Sequence, residues 1–211
     1  MARIEPFERY TSKYEDWFGK NHFVYASELK AVKAQLPENG KGIEIGVGTG
    51  RFAAPLGIEL GLEPSTRMRK IAEERGIQVV DGVAEDLPFA DARFDFALMV
   101  TTICFVDDID VAFSEVHRVL KDAGYFVIGF IDKSSALGRL YEKGKRENEF
   151  YRSASFYSVD DVILRLKHNG FGQFNFVQTI FHPLNEIRGI EPVVNGYGKG
   201  SFVVISAEKE D

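Results

Sequence analysis

The stretch 42–50, Gly-Ile-Glu-Ile-Gly-Val-Gly-Thr-Gly, is the feature that most restricts how this chain can fold. Ile43–Ile45 has the character of a short buried strand, and three glycines spaced by two follow at once: Gly46, Gly48 and Gly50. Glycine lets the backbone turn tightly and approach a ligand, because no Cβ stands in the way. We therefore predict a strand, a tight turn and a helix whose N-terminal N–H groups face a ligand.

A second acidic position supports a nucleotide site. The apolar run Ile58–Leu62 ends in Glu63, which lies 19 residues after Glu44 (63 − 44). An acidic residue that closes the second strand of such a unit is placed to accept hydrogen bonds from ribose hydroxyl groups. The two features together predict an α/β domain that binds an adenosine-containing cofactor.

The spacing of the glycines separates two cofactor classes. The dinucleotide fingerprint G-x-G-x-x-G needs its last glycine for close helix–strand packing, and Arg51 takes that place here. The chain instead has E-x-G-x-G-x-G from Glu44 to Gly50. In this it resembles the class I S-adenosylmethionine-dependent methyltransferases, in particular the small-molecule branch with the ubiquinone/menaquinone-biosynthesis type of motif. A tight turn without a ligand is the alternative for the loop taken alone.

Further segments carry the same resemblance. Residues 81–95, Asp-Gly-Val-Ala-Glu-Asp-Leu-Pro-Phe-Ala-Asp-Ala-Arg-Phe-Asp, are similar to the family segment G-D-A-E-x-L-P-F-x-D-x-x-F-D. Residues 111–124 are similar to its A-x-x-E-x-x-R-V-L-K-P-G-G helix. The resemblance is dense over residues 38–132 and loose beyond them.

The resemblance implies which residues bind S-adenosylmethionine. Glu44 and the glycine-rich loop would hold the methionine end, and Glu63 the ribose hydroxyl groups. Met68 would flank the adenine or pack in the core. Val83 stands where the family often has Asp, so the backbone of Ala84 is the expected adenine contact. The positions expected at the cofactor are Glu44, Gly46, Gly48, Gly50, Glu63, Pro64, Met68, Val83, Ala84, Glu85 and Thr101.

Alternating strand and helix patterns predict a mostly parallel, Rossmann-like α/β sheet with right-handed crossovers and helices on both faces. The resemblance implies seven strands in the order 3-2-1-4-5-7-6, with an antiparallel last strand. We expect one domain over 1–211. Its parts are an N-terminal helical lid (1–36), a cofactor-binding core (37–132), a variable substrate-side insert (133–157), and a C-terminal helix with closing strands (158–211).

The acceptor site is expected at the carboxyl ends of the first and fourth strands, where the chain has Thr101-Thr-Ile-Cys-Phe-Val106. This segment lacks the Asn/Asp-Pro-Pro-Tyr/Phe motif of nucleobase and glutamine N-methyltransferases. It also lacks the Pro-Cys pair of cytosine C5-methyltransferases, so Cys104 is expected to be a small buried residue. We assign no catalytic residue.

Aromatic residues of two variable segments are expected to line the acceptor site. Tyr10, Tyr14, Trp17 and Phe18 recur at helical spacing. They form either a helix packed on the domain or a lid whose rings attract a sulfonium or a protonated amine. The expected acceptor-side residues are Tyr10, Tyr14, Trp17, Phe18, His22, Thr102, Phe105 and Tyr141. An aromatic, acid-rich site favours a small amine, unless its walls prove basic.

Composition restricts the partners. The 211 residues, 45% hydrophobic and 27% charged, suit one soluble domain. The net charge of −6 and the acid-interrupted basic run 139–146 argue against nucleic acid. A single cysteine suits a reducing cytoplasm, and no stretch approaches the ~20 apolar residues of a membrane span. We expect no metal.

The sequence thus predicts a cytoplasmic enzyme that transfers a methyl group to N or O of a small-molecule acceptor. The displacement is in line and depends mainly on positioning, and it leaves S-adenosylhomocysteine. Two alternatives stay open: an NAD-type oxidoreductase on a related fold, which Arg51 disfavours, and a non-catalytic cofactor-binding regulatory module. The sequence determines neither the acceptor nor the oligomeric state.

Overall fold

The computed structural model describes residues 4–210, whose strands form a single sheet. The strands are β1 (Gly42–Ile45), β2 (Leu60–Leu62), β3 (Gln78–Val80), β4 (Phe94–Val100), β5 (Leu120–Ile131), β6 (Phe171–Thr179), β7 (Val194–Asn195) and β8 (Phe202–Lys209). Their order across the sheet is β3-β2-β1-β4-β5-β8-β6-β7.

The predicted strand order is confirmed, with one short strand added at the edge. β1 to β5 pair in parallel, and β8 runs antiparallel between β5 and β6. The expected seven strands are therefore present, and β7 is an eighth. It forms because the chain after β6 folds back, so that Val194 and Asn195 pair with Gln178 and Val177.

Eight α-helices surround the sheet in the described part of the chain. They are α1 (Glu5–Arg9), α2 (Thr11–Lys20), α3 (His22–Lys33), α4 (Ala53–Leu56), α5 (Thr66–Glu74), α6 (Ile109–Val119), α7 (Ala136–Gly144) and α8 (Val159–His168). Among residues 4–210, none of these helices is both long and apolar enough to cross a membrane.

Side-chain caps fix the starts of two helices that the sequence predicts. The hydroxyl of Ser65 accepts a hydrogen bond from the Met68 N–H at 3.3 Å and so begins α5 directly after β2. Ser158 and Asp161 form a reciprocal capping box at the start of α8. Such caps satisfy N–H groups that have no partner within the helix.

The sheet separates two layers of the hydrophobic core, and helices cover one layer on each of its faces. On one face, Phe113 of α6 packs edge-on against Phe126 of β5, with 5.2 Å between ring centroids. On the other face, Val24, Ala31 and Val32 of α3 are buried in the second cluster. Full burial of a side chain such as Phe113 contributes about 1.5–3 kcal/mol. Helices α6 and α3 thus cover the two faces of the sheet and do not cover the carboxyl ends of its parallel strands.

The N-terminal segment consists of three short helices. The backbone leaves the helical region at Tyr10 (φ −117°, ψ 28°) and at Asn21 (φ −115°, ψ 40°). These breaks let α1 and α2 lie over the edge of the sheet at which the strands end, while α3 packs on its face.

Candidate active site

A cavity of about 430 Å³ lies at the carboxyl ends of β1, β2, β4 and β5. Its floor includes Gly46 and Gly48 after β1, Glu63 after β2, Thr101 after β4 and Ile131 at the end of β5. Residues of α1, α2 and the segment 141–151 close it from the other side. The volume is within the range of small-molecule sites.

The turn after β1 has backbone angles that favour glycine. Gly46, Gly48 and Gly50 have φ values of 72°, 55° and 79°, a region in which a Cβ is strained. A Cβ on Gly50 would lie 2.4 Å from Cδ1 of Ile77, so Gly50 packs the turn on the core and does not line the cavity. A Cβ on Gly48 would instead approach the Tyr14 hydroxyl at 3.4 Å.

The carboxylate of Glu63 is fixed by two backbone N–H groups. Gly48 N lies 3.0 Å from Oε2, and Ser65 N lies 2.9 Å from Oε1. Burial raises the pKa of Glu63 to about 7, although both hydrogen bonds lower it. A carboxylate has about four acceptor positions. One therefore remains on each oxygen, which fits a pair of ribose hydroxyl groups.

Glu44 lies beneath the glycine-rich turn, and it is not among the residues that line the cavity. Burial above all, and also the charge of Glu63, holds its pKa well above the usual range, while the Ala53 N–H opposes this shift. Its Oε2 atom has no hydrogen-bond partner within residues 4–210. A buried acceptor without a partner is unfavourable, but because the Glu44 side chain does not line the cavity, its contact with the cofactor stays a prediction.

The turn after β3 borders the cavity through Val83, Ala84 and Glu85. The carboxylate of Glu85 accepts hydrogen bonds from the N–H groups of Asp107 at 2.6 Å and Asp108 at 3.2 Å. Its side chain therefore connects this turn with the loop between β4 and α6.

The other predicted cofactor positions, Pro64, Met68 and Thr101, also line the cavity. Met68 is only 1% exposed, so it both packs in the core and forms part of the wall. Thr101 has a φ of 52° and donates its N–H to the Gly129 carbonyl at 2.8 Å. A strained residue at the end of a strand is common where a site is built.

Among the described residues, nine aromatic side chains line the cavity, and we call five of them the aromatic wall: Phe7, Phe105, Tyr141, Phe150 and Tyr151. Phe7 of α1 meets Phe105 edge-on, with 4.9 Å between centroids, and lies 5.5 Å from Phe150. Tyr151 stacks on Phe105 at 6.2 Å and lies 4.9 Å from Tyr141. These rings come from α1, from the loop after β4 and from segment 141–151, so their contacts close the cavity between segments distant in sequence.

Comparison with known proteins identifies this arrangement. A family model described as a methyltransferase domain matches residues 43–128. A crystal structure from Thermotoga maritima, described as an S-adenosylmethionine-dependent methyltransferase and possible histamine N-methyltransferase, has 52% identity and a TM-score of 0.96. The match covers 98% of this chain and 100% of that one. This chain belongs to the S-adenosylmethionine-dependent methyltransferases.

Two further relatives are similar to this chain. An uncharacterized protein of Methanocaldococcus jannaschii is 46% identical to this methyltransferase, over 96% of this chain and 98% of the relative. The demethylmenaquinone methyltransferase of Staphylococcus carnosus is 28% identical, over 60% of this chain and 64% of its own length. The suspected relation to the menaquinone type of enzyme, the enzyme class and the cofactor are thereby confirmed. The NAD-type and non-catalytic alternatives have no support among these findings.

The structure brings most of the expected acceptor-side residues of the methyltransferase to the cavity, but not all of them. Tyr10 stands at the break between α1 and α2, and its ring lies 6.1 Å from Phe150, outside the cavity lining. His22 is exposed at the first position of α3, with its ring 4.0 Å from that of Phe23, and it is not among the residues that line the cavity. The expected residues that do line the cavity are Tyr14, Trp17, Phe18, Thr102, Phe105 and Tyr141.

Glu28 lines the cavity of the methyltransferase, although it is not among the residues predicted from the sequence. The residue is 5% exposed, and burial raises its pKa to about 8. The buried positions of α3 are Val24, Ser27, Glu28, Ala31 and Val32. Their helical spacing was the available indication, since it places an acid on the buried side of the helix.

The charged residues along the cavity are mostly acidic. Glu28, Glu63, Glu85 and Glu149 line it together with one lysine, Lys13, which is ion-paired with Glu149. The walls are therefore not basic. Within residues 4–210, no group of three or more His, Cys, Asp or Glu side chains is arranged to hold a metal ion. Cys104 is buried, as expected for a small apolar residue.

Helix α2 of the methyltransferase is joined to the glycine-rich turn through Glu15. Its carboxylate accepts hydrogen bonds from the Thr49 hydroxyl and from the guanidinium groups of Arg51 and Arg75. The Tyr25 hydroxyl donates to the Arg51 carbonyl. Arg51, which replaces the third glycine of the dinucleotide pattern, thus takes part in holding α2 over the site.

Proposed function

We propose that this methyltransferase transfers the methyl group of S-adenosylmethionine to a nitrogen or oxygen atom of a small molecule bound against the aromatic wall. The observation that carries the proposal is the continuity of the cavity. Glu63 and Gly48, which fit the cofactor, line the same space as Phe105, Tyr141 and Tyr151. A donor and an acceptor bound in one cavity can be held at the near-attack distance that displacement needs.

S-adenosylmethionine, when bound, supplies a methyl group on a sulfonium centre. When the methyl group is transferred, the sulfur remains in a neutral thioether. The protein's own contribution starts with Glu63, whose two remaining acceptor positions orient the ribose. Gly48 has no side chain and so leaves room for the ligand, and its positive φ is a conformation that suits glycine. Ala84 and Met68 border the adenine side of the cavity.

The acceptor side holds the acceptor in place and keeps water out. Burial raises the pKa of the Tyr14 and Tyr151 hydroxyl groups well above their ordinary range, and nearby acids reinforce the effect on Tyr14. Both groups are therefore neutral at physiological pH and act as hydrogen-bonding groups rather than as bases. The aromatic wall covers the acceptor side of the cavity and so limits the access of water, which would otherwise compete for the acceptor.

Nitrogen is favoured over oxygen as the methylated atom for two reasons. Acidic cavity walls repel carboxylates and other anions but attract protonated amines. In addition, the Thermotoga maritima relative, 52% identical to this chain, is described as a possible histamine N-methyltransferase. These two observations support a small amine as the acceptor.

The first test is a thermal-shift titration with S-adenosylmethionine, S-adenosylhomocysteine, NAD and ATP side by side. A ligand at 100 times its Kd adds about 2.7 kcal/mol of stability, so the two sulfur nucleosides should raise the Tm. Methyl transfer from labelled cofactor is then measured to histamine, other small amines and phenols. A protein that responds to neither sulfur nucleoside, or to NAD alone, contradicts the proposal.

A further inference from the structure

Glu28 is a buried acid that no interaction within the fold accounts for. The residue is 5% exposed and its side chain lines the cavity. Within residues 4–210, no hydrogen bond or ion pair reaches its carboxylate, and burial alone shifts its pKa. Burial of an acid without a partner is strongly unfavourable. A group of this kind in a cavity is a candidate for ligand binding.

Glu28 lies on a different element of the fold from the residues that fit the cofactor. Glu63 follows β2, whereas α3 packs over β5, β8 and β6, and β1 and β4 lie between β2 and β5 in the sheet. Burial, and next the charge of Glu28, raises the pKa of Tyr141 to about 12. The charge of Glu28 also contributes to the raised pKa of Tyr151. Glu28 therefore acts electrostatically on the aromatic wall.

We propose that Glu28 binds the ammonium group of a small amine acceptor and takes one of its protons, which makes this methyltransferase selective for amines over phenols and carboxylic acids. The inference rests on the proposed function, because it assigns a substrate class to the same cavity. Two features point to a cation: the acid itself and the aromatic rings beside it, whose faces attract cations.

The proton transfer is chemically necessary, since an ammonium nitrogen has no lone pair. One N–H proton passes to the Glu28 carboxylate, and the nitrogen regains its electron pair. That pair forms the N–C bond with the methyl carbon while the C–S bond breaks and its electrons stay on sulfur. The products are a methylated ammonium ion and the thioether, and Glu28 is left protonated, as it mostly is at pH 7 in the unliganded protein.

The titratable groups that interact with Glu28 are three tyrosines: Tyr14 of α2, Tyr141 of α7 and Tyr151. Burial raises the pKa of all three, so they are uncharged near neutral pH. With a pKa of about 8, Glu28 itself is mostly protonated at pH 7 in the unliganded protein. Binding of an ammonium ion then leaves one proton shared between the two groups, so about one proton is released for each amine bound.

The methionine end of the cofactor also carries an ammonium group, so the test must separate the two ligands. We would compare the wild type with Glu28→Gln, which has the same shape without the charge, and with Glu28→Asp, which keeps the charge. Glu142→Gln is the matched control, since Glu142 is partly exposed, is paired with Lys145 and is not among the residues that line the cavity.

Calorimetry would first give the Kd of S-adenosylhomocysteine for each variant. The complexes would then be titrated with phenethylamine, tyramine and putrescine, and with 2-phenylethanol as a neutral analogue. Titration in two buffers of different ionisation enthalpy counts the protons released.

We expect amine binding with release of about one proton at pH 7 in the wild type and the control. In Glu28→Gln we expect no release, at least about tenfold weaker amine binding, and an unchanged Kd for S-adenosylhomocysteine. Glu28→Asp should recover part of the affinity and the proton release.

Several outcomes would overturn the inference. One is that amines do not bind the wild-type complex. Another is that amines bind the Glu28→Gln complex as tightly as the wild-type complex. A third is that Glu28→Gln weakens the binding of S-adenosylhomocysteine instead of the binding of amines. Methyl transfer to phenols or carboxylic acids but not to amines would overturn this inference and leave the proposed function intact. Failure of S-adenosylmethionine to bind would contradict the proposed function itself. A retained Tm shift with S-adenosylhomocysteine shows that the variants are folded.

Discussion

The carboxylate of Glu63 accepts a hydrogen bond from the backbone N–H of Gly48, with 3.0 Å between Gly48 N and Glu63 Oε2. This bond joins the end of β2 to the glycine-rich turn after β1. The other carboxylate oxygen of Glu63, Oε1, accepts a hydrogen bond from the N–H of Ser65, the residue that caps α5. The carboxylate is therefore pre-organised, and little side-chain freedom is lost when a ligand binds.

The affinity for S-adenosylhomocysteine should fall as the pH is lowered through about 7. Burial raises the pKa of Glu63 to about 7, and only the ionised form offers both oxygens to ribose hydroxyl groups. Below that pH the affinity should fall by up to about tenfold per pH unit. Calorimetry at pH 6, 7 and 8 measures this. Glu63→Gln should bind more weakly by about 1–3 kcal/mol, with a flatter profile. Unchanged affinity in that variant contradicts the ribose assignment.

The unliganded Glu28→Gln protein should be more stable than the wild type at high pH. The pKa of Glu28 in the folded protein, about 8, lies above its ordinary value of 4.5. The folded state is thus penalised increasingly as the pH rises from about 4.5 to 8, and the penalty is absent at low pH. Urea unfolding should give only a small gain in free energy at pH 5 and a gain of more than about 1 kcal/mol at pH 9. Parallel pH profiles for the two proteins would show that Glu28 is not buried in this way.

Gly48→Val should abolish cofactor binding, whereas Gly57→Val should not. Both glycines have positive φ, 55° and 73°, so both variants carry a similar backbone strain of about 1–2 kcal/mol. The difference lies in the surroundings. Gly48 lines the cavity, while a Cβ on Gly57 would have no atom within 4 Å. Thermal unfolding measures the shared loss of stability, and the shift with S-adenosylhomocysteine measures the difference. Equal loss of binding in both variants would mean that strain, not steric exclusion, is responsible.

The cofactor side of the site could be predicted because its determinants are local. The φ values of Gly46 and Gly48 follow from a tight turn directly after a strand, and the position of Glu63 follows from the strand that it ends. Ser65 is recognisable as a helix cap by its place before α5. Each of these properties depends on a few neighbouring residues, so one sequence was sufficient.

The acceptor side could not be predicted to the same extent because it forms from contacts between distant segments. Whether Phe7 meets Phe150 depends on the breaks at Tyr10 and Asn21, which no sequence pattern marked. One uninterrupted helix would have kept Tyr10 on the same face as Tyr14. An ionisable residue on the buried face of a helix, such as Glu28, could still be predicted from the helical spacing of its apolar neighbours.

We propose that α1 and α2 form a lid over the cofactor, and that the bonds from Thr49, Arg51 and Arg75 to the Glu15 carboxylate keep this lid closed. Replacement of Glu15 by Gln removes the charge that pairs with Arg51 and Arg75. Because these groups are partly buried, we expect a loss of about 1–2 kcal/mol in local stability. Hydrogen exchange of the α1 and α2 amides should then quicken about 5–30-fold.

The matched control for Glu15→Gln is Glu5→Gln, because Glu5 is exposed and pairs only with Arg9 on the same helix within the described residues. Exchange in α6 should stay unchanged in both variants, since α6 packs on the sheet away from this network. Affinity for S-adenosylhomocysteine should fall in Glu15→Gln and not in Glu5→Gln. Weaker cofactor binding without faster exchange in α1 and α2 would mean that Glu15 shapes the glycine-rich turn through Thr49 and Arg51 rather than closing a lid.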